Sequence, residues 1–221
     1  MFKETLDSLN NVNVSGLPDS IRADYYFILA RACYDLGDFD KDLYYTPRYV
    51  SLGNRFIDSA RNLYPSDSYR NIYLKGLKNI KNKNWHEANE ALSFLLEKYP
   101  LKDHELAVTA STLSHFYIFG NEPRKAIRLL MQAAIADIRS ATKETSALST
   151  LAELLYQEGD VLSAHTYIQH AMHDAVFYGA RQRKTQVGSV LPVIASARLT
   201  NVEAQRKVWL VYSGMISTLT M

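Results

Sequence analysis

Cysteine is almost absent from this sequence, one residue in 221, which excludes a disulfide-stapled scaffold and any zinc or iron–sulfur centre built on cysteine clusters. Glycine and proline are also scarce, at nine and six residues. A β-rich fold needs a turn about every ten residues, so this composition points to long helices instead. Neither sign of charge dominates: 25 basic against 23 acidic residues give a net charge of +2. The overall positive field of a dedicated nucleic-acid binder is therefore missing, leaving room only for a local patch. Neither glycine-rich phosphate loop, G-x-x-x-x-G-K-[ST] or G-x-G-x-x-G, occurs, which argues against the common nucleotide enzymes. The esterase elbow G-x-S-x-G is missing as well. His86–Glu87 starts like a zinc-protease helix, but Glu90 stands where the second histidine is required.

What remains is 47% hydrophobic and 22% charged, with a mean hydropathy of −0.20, a globular chain long enough for one domain or two small ones. Its strongest signal is internal repetition. In the segment 145–178, Leu148, Leu151, Ala152, Leu155 and Tyr156 fall on one helical face. Gly159 is suited to end that helix in the left-handed conformation, and Asp160 to cap the next. The second helix would bury Ala164, Ile168, Ala171 and Ala175, whose small side chains let two antiparallel helices approach closely.

This arrangement resembles the tetratricopeptide repeat, a helix pair of about 34 residues. Leu151 and Ala152 stand where the family has its Leu–Gly pair, and Ala164 and Ala171 match its two small residues. A second copy spans 69–102, with Gly76 at the close approach, Trp85 after the turn, Ala88 and a terminal Pro100. A third starts near Leu106, with Phe116, Tyr117, Gly120, Ala126 and Ala133. The first copy is the weakest. Leu29, Ala30, Tyr34, Gly37, Asp38 and Phe39 fit, but Asp42 replaces a small residue and Pro47 opens what reads as an additional helix ending near Tyr64.

The resemblance implies an all-α, tetratricopeptide-like helical-repeat superhelix, an α-α solenoid. Its expected parts are a helical lead-in over 1–22, about four helix pairs over 23–180 with an inserted helix near 46–64, and C-terminal capping helices over 181–221. Two capping stretches are expected, 180–198 and 201–219, with Pro192 bending or interrupting the first. More narrowly, 137–194 resembles the repeat region of bacterial membrane-tethered helix-turn-helix transcriptional regulators, which implies a sensory or docking part. That resemblance places the repeats on the periplasmic side of a membrane-anchored protein, whereas the repeats alone fit the cytoplasm. The last 41 residues carry six basic residues against Glu203 alone and end in the uncharged run 208–221. This run is either a terminal amphipathic helix or the first half of a membrane span completed beyond Met221, and the expectation is that the gene continues.

The function expected is a non-catalytic interaction scaffold that takes a protein or peptide in the concave groove formed by the first helix of each pair. Groove positions carried over from the family are Arg31, Tyr34, Tyr73, Lys81, Tyr117, Glu153 and Tyr156, together with Asp24, Phe27, Leu77, Ser114 and Gln157. No cofactor is implied, and no direct nucleic-acid contact by this segment. Two other classes stay open: a small-molecule or metal-dependent enzyme using His165, His170 and His173, and nucleic-acid binding through the basic C-terminus. Lys75, Lys78 and Lys81 recur every third residue and read either as a phosphate-binding stripe or as a solvated face. Cys33 reads as a packed small hydrophobe. Asn13-Val14-Ser15 matches a glycosylation acceptor, a pattern that arises often by chance.

Overall fold

The computed structural model describes residues 2–9, 11–141, 146–179 and 181–219, and among these it contains helices and no strands. Ala180, at the expected repeat boundary, and Met221 lie outside the described residues. The helices group into two compact units, Met1–Lys102 and Asp103–Met221.

The first unit begins with α1 (Phe2–Leu9), followed by α2 (Asp19–Asp40), α3 (Tyr45–Arg61), α4 (Tyr69–Lys81) and α5 (Trp85–Lys98). The short α1 docks by Leu6 against Leu29, Ala32 and Cys33 of α2. The Tyr25 hydroxyl ties it down by donating to the Leu9 carbonyl at 3.0 Å. The stretch expected as an inserted helix, 46–64, is α3, and it is the helix that pairs with α2. Gly37–Asp38 does not form the turn that its spacing suggests. Gly37 is buried inside α2, where a Cβ would lie 3.6 Å from Thr46 and Tyr49, an ordinary contact distance. The left-handed residue that ends α2 is Lys41, with φ 48°, whose N–H returns to the Gly37 carbonyl. Asp42 then starts α3 by accepting from the N–H groups of Tyr44 and Tyr45 at 2.8 and 2.7 Å.

Close approach recurs in the second pair. A Cβ on Gly76 would sit 2.8 Å from Leu92, so glycine is required where α4 crosses α5. Ser68 caps α4 by accepting from the Asn71 N–H. The buried Asn71 side chain donates to the carbonyls of Arg61 and Tyr64 and accepts from Arg61 Nε, joining the end of α3 to the start of α4.

In the second unit α6 (Asp103–Phe119) pairs with α7 (Pro123–Arg139), and α8 (Ser146–Gln157) with α9 (Val161–Phe177). Pro123 stands in the first turn of α7, where its missing N–H costs nothing. Gly159 has φ +89° and the Asp160 carboxylate accepts from the Ser163 N–H at 3.0 Å, so the turn and cap read from the sequence are both present. The buried stripe is also present: Ala164, Ile168, Ala171 and Ala175 are wholly enclosed, with Ala152 of α8 against them. The two capping stretches expected after α9 form instead one helix, α10 (Arg181–Leu219), continuous through Pro192. A proline ring clashes with the carbonyl four residues earlier and removes one helical hydrogen bond. Here that earlier residue is Gly188, whose Cβ position faces Met172 of α9, and the helix runs on past the proline. Val187 and Ile194 of α10 are buried against α9, and Val190 and Leu191 pack beside them.

Candidate functional site

The seven groove positions divide sharply by burial. In the first unit Tyr34 is 1% exposed and Tyr73 3%, so both are core residues here and offer no side-chain surface to a partner. The Tyr34 ring fills the notch left by Gly53, where a Cβ would be 2.5 Å from its Cε1. Its hydroxyl donates to Asn54 Oδ1 at 2.7 Å, and Asn54 donates in turn to Asn82 Oδ1 at 2.6 Å. Burial, with Asp58 and Cys33 nearby, pushes the Tyr34 phenol well above its ordinary range. Tyr73 stacks on Tyr69 with centroids 5.8 Å apart. Tyr69 in turn lies 6.3 Å from the ring of Tyr99, whose hydroxyl accepts from the Tyr69 N–H.

Lys81 is largely spent inside the fold as well. Its Nζ lies 2.6 Å from Asp38 and 5.2 Å from the centroid of Tyr34, joining α4 to α2. Lys78 pairs with Asp58 at 2.6 Å in the same way. Two of the three lysines of the supposed stripe therefore neutralise carboxylates of their own unit. Asp24 accepts from the Tyr64 hydroxyl at 3.1 Å. Of Arg31, Tyr34, Tyr73 and Lys81 in the first unit, only Arg31 is exposed.

The second unit keeps its groove residues nearer the surface. Tyr117 is half-buried, edge-on to Phe116 and 5.1 Å from Lys125 Nζ across the turn to α7. Ser114 is buried and bonds to the Ser111 carbonyl. Glu153 and Tyr156 are half-buried on α8, three residues apart and thus on one face. Tyr156 forms a wall of an open cleft of about 520 Å³ whose other wall is α10: Pro192, Val193, Ser196, Ala197 and Thr200. Thr200 uses its hydroxyl on the Ser196 carbonyl. The Glu153 carboxylate and the hydroxyls of Tyr156 and Ser196 have no partner among the described residues. Burial pushes the Glu153 carboxyl above its ordinary value. The cleft thus combines an apolar wall with the hydroxyls of Tyr156 and Ser196, which a ligand could satisfy, and Glu153 stands one turn before Tyr156 on α8. Repeat spacing alone gave Tyr156 but not the α10 wall, because the sequence reading broke that helix in two.

The other candidates lack a site's geometry. His170 and His173 are exposed and His165 half-buried. His173 Nδ1 lies 3.7 Å from Asp174. No group of three or more His, Cys, Asp or Glu among the described residues is placed to hold a metal ion. Burial raises the Cys33 thiol to about 11, so it is no ready nucleophile. Asn13 Oδ1 accepts from the Ser15 N–H, an ordinary local turn. A second open depression, about 340 Å³, lies along α3 between Arg48 and Arg55 and was not foreseen. Arg48 stacks on Tyr44 at 3.9 Å beside it.

No curated protein matches the chain. Among solved structures, that of the APC/C hetero-tetramer Cut9–Hcn1 has a TM-score of 0.49 and 14% identity, over 85% of this chain and 36% of that one. A structure from work on Pseudomonas aeruginosa pilF has a TM-score of 0.48 and 15% identity, over 93% of this chain and 99% of that one. The family whose pattern matches is the SusR N-terminal TPR domain, over residues 1–189. That match, together with four helix pairs closed by small residues at their crossings, makes this chain a member of the SusR N-terminal TPR domain family and a helical-repeat protein-interaction scaffold.

Proposed function

We propose that the chain is the sensory or docking part of a bacterial transcription-regulating protein and that it works by binding a protein or peptide segment, not by catalysis. The observation that carries this reading is the cleft of the second unit. There, Tyr156 and Ser196 present unsatisfied hydroxyls beside an apolar wall, with Glu153 one turn away on the same face of α8, the helix face that repeat proteins commonly use for partners. A segment with an apolar side chain for the wall and a cationic or amide group for Glu153 fits that chemistry. In the same unit, half-buried Tyr117 on α6 is a further candidate contact, and Arg31 is an exposed candidate on the first unit by itself. The match to a SusR domain supports the regulatory context. With it goes a periplasmic placement of the repeats and an anchor beyond residue 221. No described helix is itself long and apolar enough to cross a membrane.

Calorimetry with a panel of basic, amide-rich and acidic peptides tests the binding. Tyr156→Ala and Glu153→Gln should each weaken the best ligand by about tenfold, the effect of a modest interface hot spot. Wild-type affinity in both variants would mean that the partner does not bind in the cleft. Protease treatment of spheroplasts carrying the tagged natural gene product tests the topology, since repeats outside the inner membrane are digested and cytoplasmic ones are not.

A further inference from the structure

The buried stripe of α10 does not stop where its packing stops. Val187, Leu191 and Ile194 face α9 at steps of four and three residues. The same face continues through Arg198 into Val202, Gln205, Trp209, Tyr212, Ile216 and Leu219, at steps of three and four. That is the spacing of a coiled-coil seam. Yet every described residue from Asn201 to Leu219 is exposed. The apolar members of this seam, with the flanking Val208 and Met215, are between 42% and 85% exposed. A helix cannot bend back to cover its own flank. From Ile194 to Leu219 it rises about 37 Å beyond its last buried residue, so its own unit does not cover this face.

We infer that the distal half of α10 is a self-association surface, and that two copies of the chain pair there as a parallel, in-register two-helix coil. Continuity with the α9 interface supplies the first argument, because one stripe serves both contacts. The seam is also self-complementary. With Val202, Trp209 and Ile216 at one seam position and Gln205, Tyr212 and Leu219 at the other, each side chain meets its own counterpart. The two Gln205 amides can bond to each other across it, a polar pair of the kind that fixes register. Charge permits the pairing. The only ionised residues of the distal half, Glu203, Arg206 and Lys207, stand off the seam, and Arg206 faces the neutral Asn201 of the other copy. The exposed apolar area of these side chains is on the order of several hundred Å², the scale of one side of a standard interface.

Sedimentation of the intact chain without detergent tests this directly, with Trp209 fluorescence as a local readout. A concentration-dependent dimer is expected, with a blue shift of Trp209 on association. Trp209→Glu should raise the dissociation constant at least about 100-fold while the circular dichroism stays helical, since no core contact is touched. Lys207→Glu, on the outer face, should leave the dimer unchanged. Tyr212→Cys should form a disulfide between copies under mild oxidation, and Lys207→Cys should not. A monomer at all concentrations, species of indefinite mass, equal cross-linking at positions 207 and 212, or a monomer that instead inserts this segment into lipid vesicles would overturn the inference.

Discussion

Tyr34 and Tyr156 occupy corresponding places in the first and fourth helix pairs, yet one is sealed in the core and the other lines a cleft. The difference lies in what stands opposite. In the first unit Gly53 leaves a notch that takes the whole Tyr34 ring, and Asn54, Lys81 and Asp38 then close over it. In the second unit the crossing of α8 and α9 is made by alanines, so Tyr156 has no notch to enter and stays at the rim. The same repeat-signature residue thus becomes a structural element or a surface contact according to one position on the neighbouring helix.

The sharpest way to break this comparison is to truncate both tyrosines. Tyr34→Ala should cost about 3–5 kcal/mol, the range for removing a buried aromatic, while Tyr156→Ala should cost about 1 kcal/mol. Urea denaturation followed by circular dichroism gives both, and costs within about 1 kcal/mol of each other would show that the two sites are alike after all. Next in size, Gly53→Ala should destabilise by about 1–2 kcal/mol, the overpacking against Tyr34 outweighing the better helix propensity of alanine. In a Tyr34→Ala background the sign should reverse, because only the propensity gain is left. A double-mutant cycle without that reversal would mean that Gly53 is not there for the ring.

Two smaller effects concern the second unit alone. Asp160→Ala should cost about 1 kcal/mol at neutral pH through loss of the α9 cap, and Asp160→Asn appreciably less. Hydrogen bonds from Ser163 hold the folded Asp160 carboxyl below its ordinary value. The cap's ionic contribution is therefore present above the unfolded aspartate range and disappears as pH falls through the folded value. Thermal melts of Asp160→Asn across acidic pH should show the gap to the wild type closing. Glu153 runs the other way. Its folded carboxyl is raised by burial, so ionisation at neutral pH opposes folding and protonation relieves the cost. Glu153→Gln should raise Tm by about 1–2 °C at neutral pH, with no gain below the ordinary glutamate range. A lower Tm at neutral pH would mean that the carboxylate has a stabilising partner.

Much of the architecture was legible because helix pairs write themselves in small residues. Ala164, Ile168, Ala171 and Ala175 keep helical spacing, and Gly159–Asp160 combines a left-handed residue with a cap, so α8, α9 and their turn could be placed closely. The first pair misled because a glycine need not mark a turn. Gly37–Asp38 has the composition of a turn, but the glycine is buried within α2, and the chain turns four residues later at Lys41, a residue type with no preference for that conformation. The continuity of α10 was hidden by Pro192, which removes one helical hydrogen bond without ending the helix. The site was the least legible. Repeat position locates a side chain on a helix face, but whether it is open depends on partners such as Gly53, Asn54 and Asp38 that lie on other helices and follow no repeat.

Pro192 does more than interrupt a hydrogen bond. It lines the cleft while standing at the base of an arm, for the helix runs on about 40 Å from there to Leu219. Beams yield where a tie is missing, and here the missing tie sits beside the candidate ligand cleft. A tilt of about 5° at that joint moves the tip by about 3 Å over this length, a tenfold mechanical gain on a displacement of a few tenths of an ångström at the cleft wall.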